Sequence, residues 1–127
     1  MAEGLKGLRI YRVAEMLADE VWDEVVTWRP FARDTVGRQL VEASDPIGGN
    51  IAEGYGRYHY KDNRQFQFYA RGSLEETGHW LRRAHRRKLI SEERYQDLTK
   101  MVAELGPQLN AYIRTLERRS KEARAKP

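Results

Sequence analysis

Residues Gly48 to Arg57 read GGNIAEGYGR, four glycines in ten residues closing on an arginine. Either this is a loop that cradles a phosphate, or it is a helix packed very close to a neighbour and then stopped. A Walker loop needs Gly, four residues, Gly-Lys and then Ser or Thr, because the lysine and hydroxyl hold phosphate and magnesium. Gly49 and Gly54 have the glycine spacing, but Tyr55 and Gly56 stand where the lysine and hydroxyl belong. A dinucleotide fingerprint fails as well, since His59 takes the third glycine position after Gly54 and Gly56 and no strand precedes them. The helical reading fits better. Gly48, Gly49 and Ala52 are small enough for close helix approach, and Gly54 or Gly56 would supply the positive φ of a C-cap.

Working outward, Val36, Leu40, Ile47 and Ile51 continue one apolar stripe from Phe31 into this stretch, and Pro46 predicts a bend by removing the bond to the Glu42 carbonyl. Before it, Ile10, Val13, Leu17, Val21 and Val25 recur at three or four residues, and Arg29-Pro30 ends that helix. After it, Phe66, Ala70, Ser73, Thr77, Leu81 and Ala84 form the inner stripe of a third helix, with Asp62 or Asn63 as its N-cap. Ser91 caps a fourth, whose heptad seam is Tyr95, Leu98, Val102, Leu105, Leu109, Tyr112 and Leu116. Gly106-Pro107 interrupts this seam without shifting its phase, which predicts a kink and not a break. Residues 1–127 thus read as a single all-α domain with helices over about 9–28, 31–54, 61–88 and 91–118 and a flexible basic tail over 119–127. Short connections predict an antiparallel up-down-up-down four-helix bundle.

The absence of cysteine excludes disulfides and thiolate chemistry and fits a reducing, cytoplasmic setting. No apolar run is long enough for a membrane span or a signal h-region. The net charge of +4 is unevenly placed. Arg82, Arg83, Arg86, Arg87 and Lys88 form one run without an acid, and Arg118 and Arg119 lead a second in the tail, which continues through Lys121, Arg124 and Lys126. Asp19, Glu20, Asp23 and Glu24 make the first helix acidic, suited to pairing with basic neighbours. Two cationic clusters on neighbouring helix ends point to phosphate contacts, although a charge run is also the ordinary form of a solvated face.

No enzyme signature stands up. Asn50 and Glu53 are polar residues beside Ile47 and Ile51, expected to be half-buried and bonded to Ser73 or Arg57. The Glu-x-x-His pairs of di-iron bundles do not occur, and His59, His79 and His85 make no ligand set. Nor do Ser44, Ser73, Ser91 or Ser120 sit in a nucleophile-elbow context. No metal or other cofactor is expected. Tyr55, Tyr58, His59 and Tyr60 crowd one connection with Arg57, Lys61 and Arg64. Such a set can stack bases, form a subunit interface, or simply pack over the bundle end.

The order N-I-A-E-G-x-G-R over Asn50 to Arg57, followed by A-R-G-S-L-x-E over Ala70 to Glu76, resembles the small four-helix-bundle proteins known as 23S ribosomal RNA intervening-sequence or S23 ribosomal proteins. Pro46-Ile47-Gly48-Gly49 departs from the family pattern, which more often has a small residue or serine before the isoleucine, or a proline just after it. The resemblance implies a ring-like homopentamer. It also implies kinship with the accessory variability determinant proteins of diversity-generating retroelements, which bind nucleic acid and a reverse transcriptase. Asn50, Glu53, Gly54, Gly56, Arg57, Gly72, Ser73 and Glu76 would then mark packing and subunit contact, not catalysis. The combined expectation is a non-enzymatic, oligomeric protein that binds RNA or DNA phosphates, with a scaffold ring for a protein partner as the rival.

Overall fold

The computed structural model describes residues 4–125, and among them every regular element is helical. A short 3-10 turn, Gly4–Gly7, leads into α1, Arg9–Val25. The second helix, α2, is one run built of an α turn Pro30–Ala32, a π turn Arg33–Gly37 and a long α segment Arg38–Tyr55. Helix α3 spans Tyr60–Arg86 and α4 spans Glu92–Ala125. The chain therefore forms a bundle of four long helices. Contacts between neighbours run in opposite directions along the chain. A Cβ on Gly48 would lie 3.8 Å from Ala14 Cβ, and one on Gly37 would lie 2.6 Å from Val25 Cγ1, so α1 and α2 are antiparallel. Between α3 and α4, Asn63 meets Tyr112, Arg71 meets Asn110 and His85 meets Glu92, which is antiparallel again.

The apolar stripes explain why the helices pack here. Ile10, Val13, Leu17, Val21 and Val25 are all buried, as are Val36, Leu40, Ile47 and Ile51. In α4, Leu98, Leu105, Leu109 and Leu116 lie in the core, Tyr95, Val102 and Tyr112 pack against it, and Ile113 joins them. In α3 the stripe is displaced at its start. Asn63 and Gln67 face inward, while Phe66 is only half-buried. Three of their four amide atoms are paired, since Gln67 Nε2 donates to Asn63 Oδ1 at 2.8 Å and Asn63 Nδ2 donates to the Tyr112 hydroxyl at 3.0 Å; Gln67 Oε1 is buried without a partner among the described residues. A buried polar pair that bonds across two helices is tolerated where isolated amides would not be.

Several local expectations change. Asn63 is a core residue, not an N-cap; His59 holds that position in extended conformation without a side-chain bond. Ser91 does cap α4, accepting from the Arg94 backbone N–H at 3.1 Å. As the in-phase seam implied, Pro107 does not break α4, and Pro46 likewise sits inside unbroken helix. The fourth helix continues through Arg118 and Arg119 to Ala125, so this part of the anticipated tail is helical; Lys126 and Pro127 lie outside the described residues.

An ion cluster holds α1 to α4. Arg94 reaches Glu20 at 2.6 Å and Glu24 and Asp97 at 3.5 Å each, and Glu24 also accepts from Trp28 Nε1 at 2.9 Å. Glu20 raises the Arg94 pKa further. Two of the four acidic residues of α1, Glu20 and Glu24, thus pair with a basic neighbour within the chain.

Candidate nucleic-acid interface

GGNIAEGYGR is helix through Tyr55, with Gly56 at the C-cap, so it offers no phosphate loop. Gly56 has φ −78°, and neither it nor Gly54 adopts the positive φ expected of them. Gly54 serves close packing. A Cβ there would meet Gln67 Nε2 at 2.6 Å, Asn63 Oδ1 at 2.7 Å and the Asn63 carbonyl at 2.8 Å. Gly48 is in ordinary contact, and Gly49 faces open space. The remaining motif residues lie near the surface. Asn50 bonds within its own helix, to the Pro46 carbonyl at 3.0 Å, not across to Ser73. Glu53 is exposed and pairs with Arg57 at 2.8 Å, and Arg57 covers the Phe66 ring at 4.7 Å. Gly72 and Glu76 are exposed and Ser73 is half-buried.

Arg82, Arg83, Arg86 and Arg87 occupy the last two turns of α3 and its C-cap, followed by Lys88. A helix C-terminus favours cations, which gives a local reason for basic residues at this end. Successive i,i+4 positions put Arg82 with Arg86 and Arg83 with Arg87 on adjoining strips of one surface. Arg82, Arg86, Arg87 and Lys88 are exposed and Arg83 is half-buried. Among the described residues none of the five makes an ion pair within 4.0 Å, whereas Arg94 and Arg57 do. His85 turns the other way, stacking on Tyr95 at 3.9 Å and meeting Glu92 at 2.9 Å. The Glu92 carboxyl is held below its ordinary pKa by hydrogen bonds from Gln96 and then His85.

The turn that carries Lys88 is well formed but strained at one residue. Leu89 N–H bonds the Ala84 carbonyl at 2.9 Å and Lys88 N–H bonds the His85 carbonyl at 3.1 Å, the paired pattern of a Schellman motif. Lys88 sits at its left-handed position with φ 61°, where glycine is the usual occupant. Lys88→Gly is expected to raise stability by about 0.5–1 kcal/mol, by relief of the left-handed Cβ penalty. Thermal unfolding checks this, and a lowered Tm would contradict it.

Arg118 and Arg119 do not lie beside this cluster. Helix α4 starts next to the α3 C-terminus and runs back along it, so Ser120 and Arg124 line a cleft with Tyr58, His59 and Tyr60 at the opposite end. The 27 residues of α3 put the two cationic ends about 40 Å apart. The two clusters sit at the C-terminal ends of consecutive antiparallel helices, which lie at opposite ends of the bundle and not side by side. Arg118 is moreover 3.7 Å from Glu122. The aromatic connection belongs to this second end, with Tyr58 93% exposed.

One further concavity has no counterpart in the sequence patterns above. It is an open groove of about 1010 Å³ where the start of α2 meets the end of α3. Phe31, Val36, Trp80 and Leu89 supply apolar walls, and Arg29, Arg38 and Arg87 are among its polar residues. Phe31 is 82% exposed there. The π turn Arg33–Gly37 forms part of the lining, with Asp34 held below its ordinary pKa chiefly by the hydrogen bond from Arg33. Such turns insert an extra residue into a helix and often occur at functional positions.

A small all-helical bundle, with a cationic end unpaired among the described residues and an adjoining aromatic groove, is the class that these features define. The chain belongs to the family of 23S rRNA-intervening sequence proteins, whose model matches residues 6–111. That span includes the Arg82–Lys88 cluster and excludes Arg118 and Arg119. The fold is also similar to the crystal structure of a protein of unknown function from the S23 ribosomal protein family of Bacteroides thetaiotaomicron. The two share 19% identity with a TM-score of 0.74, over 82% of this chain and 97% of the other. No curated protein matches this chain in sequence. Among the described residues, no helix is long and apolar enough to cross a membrane.

Proposed function

We propose that this protein binds nucleic acid without catalysing a reaction, and that the end of α3 supplies the phosphate contacts. The observation that carries this is the cluster Arg82, Arg83, Arg86, Arg87 and Lys88, five cations on one surface with no carboxylate within pairing distance among the described residues. Phosphate contacts of this kind displace condensed counterions, so binding weakens steeply with salt and is nearly indifferent to sequence. The test is anisotropy with labelled RNA and DNA across a salt series. Full affinity retained after Arg82, Arg83, Arg86 and Arg87 are changed to glutamine would sink the reading.

A second observation supports assembly. Helix α1 and its C-cap leave Met16, Trp22 and Val26 half or more exposed, a large apolar presence for a surface helix. The proposal therefore includes a homo-oligomer, a pentameric ring in the form the family resemblance implies, on which a reverse transcriptase is a candidate protein partner. If scaffolding is the main task, nucleic-acid affinity is incidental to it. Solution mass by light scattering tests the assembly, and a monomeric mass removes the ring.

A further inference from the structure

We infer that the groove between the start of α2 and the end of α3 receives an unpaired base of a single-stranded nucleic acid, stacked against Phe31 and Trp80. This rests on the phosphate-binding reading and extends it from affinity to strand selection. Three observations converge. The Phe31 ring is 82% exposed at the groove and Trp80 forms part of its wall, so two aromatic side chains line a space of about 1010 Å³. That is at the upper limit of the roughly 300–1,000 Å³ of small-molecule pockets, ample for a flat heterocycle. Arg29, Arg38 and Arg87 line the same space, and its one carboxylate, Asp34, is paired with Arg33 at 3.0 Å.

Arg87 is also a member of the α3 cluster, so the groove and the phosphate track share a residue and form one continuous surface. A ligand that fits both must present negative charge at a regular interval beside flat aromatic groups. A nucleic-acid strand does so, and only an unpaired one exposes its base faces, since a duplex keeps them stacked inside. The Gln39 amide on the groove lining offers a donor and an acceptor to the base edge. The acidic peptide that such a groove could also attract has no aromatic group at every charge.

The experiment compares a short labelled oligothymidine with a strand of equal length whose bases are removed, at one fixed salt concentration. The two carry the same phosphates, so their ratio reads what the bases contribute, and the Phe31 variants read the stacking share of it. Wild type is expected to favour the strand with bases by about fivefold or more, the lower end of what one stacked base contributes. Phe31→Ala is expected to abolish the ratio while leaving affinity for the baseless strand unchanged, and Phe31→Trp to restore it. Because Phe31 is exposed, the alanine variant keeps its fold, which circular dichroism verifies. Equal wild-type affinity for the two strands overturns the groove inference and leaves the phosphate reading standing. Binding of neither strand removes the phosphate reading as well. A ratio that survives Phe31→Ala overturns the assignment to this groove, and an altered solution mass in that variant assigns Phe31 to a contact with a second copy instead.

Discussion

Gly54→Ala is expected to destabilise the fold by about 2–3 kcal/mol, the upper part of the range for forcing a methyl into a packed core. At this chain length that lowers Tm by roughly 10 °C. The added Cβ would stand within 2.8 Å of three atoms, of which Gln67 Nε2 and Asn63 Oδ1 are already bonded to each other. Rotation of either amide to make room breaks that bond or the one to Tyr112, leaving a buried polar atom without its partner. The third atom, the Asn63 carbonyl, is backbone and cannot move unless α3 itself moves. Gly49, five residues earlier on the same helix, gives the opposite expectation. Nothing lies within 4 Å of its added Cβ, so Gly49→Ala should stabilise by about 0.5–1 kcal/mol through loss of unfolded-state freedom. Denaturant midpoints at unchanged m-value read both effects. If Gly54→Ala is as stable as wild type or more so, the close-packing role of Gly54 is wrong; if Gly49→Ala is destabilised, the open-space reading of Gly49 is.

This pair of glycines also marks the limit of what was legible in the sequence. Small residues announced close helix contact somewhere in GGNIAEGYGR, but the glycine that needs it is Gly54, because only tertiary packing brings Asn63 and Gln67 opposite it. The stripes of α1 and α2 could be read because aliphatic residues recur without interruption. The start of α3 misled for a physical reason. The heptad spacing runs back from Ala84 through Leu81, Thr77, Leu74 and Ala70 to Gln67 and Asn63, and all seven are buried. Hydrophobicity favoured Phe66 over Gln67, whereas the spacing pointed to Gln67; a partner on another helix makes the amide admissible inside. The cationic residues were visible as runs, and the antiparallel order read from the short connections already puts the C-terminal ends of α3 and α4 at opposite ends of the bundle, so treating them as neighbouring ends was at odds with that topology. The groove was out of reach, since it joins residues near 31 with residues near 80 and 87 across a π turn that no spacing rule signals.

Neutralising Arg82, Arg83, Arg86 and Arg87 together with glutamine is expected to weaken binding to a short duplex at least roughly a hundredfold at moderate salt, and to lower the slope of log affinity against log salt by up to about 3.6, at about 0.9 per phosphate contact. The same change at Arg118 and Arg119 should leave short-duplex binding through the α3 end nearly untouched. Those two residues are about 40 Å away along the bundle, so one ligand must span about 12 base pairs to touch both ends. Affinity measured against duplex length therefore separates the clusters. Below that length only the α3 variant loses affinity; above it the α4 variant begins to matter, and less so because Arg118 leans on Glu122. Apart from half-buried Arg83 these side chains are exposed, so stability should stay within about 0.5 kcal/mol of wild type and the loss cannot be charged to unfolding. Equal losses for the two variants on a short duplex would mean that the ends meet, which a single copy of this chain does not allow and a ring of copies would.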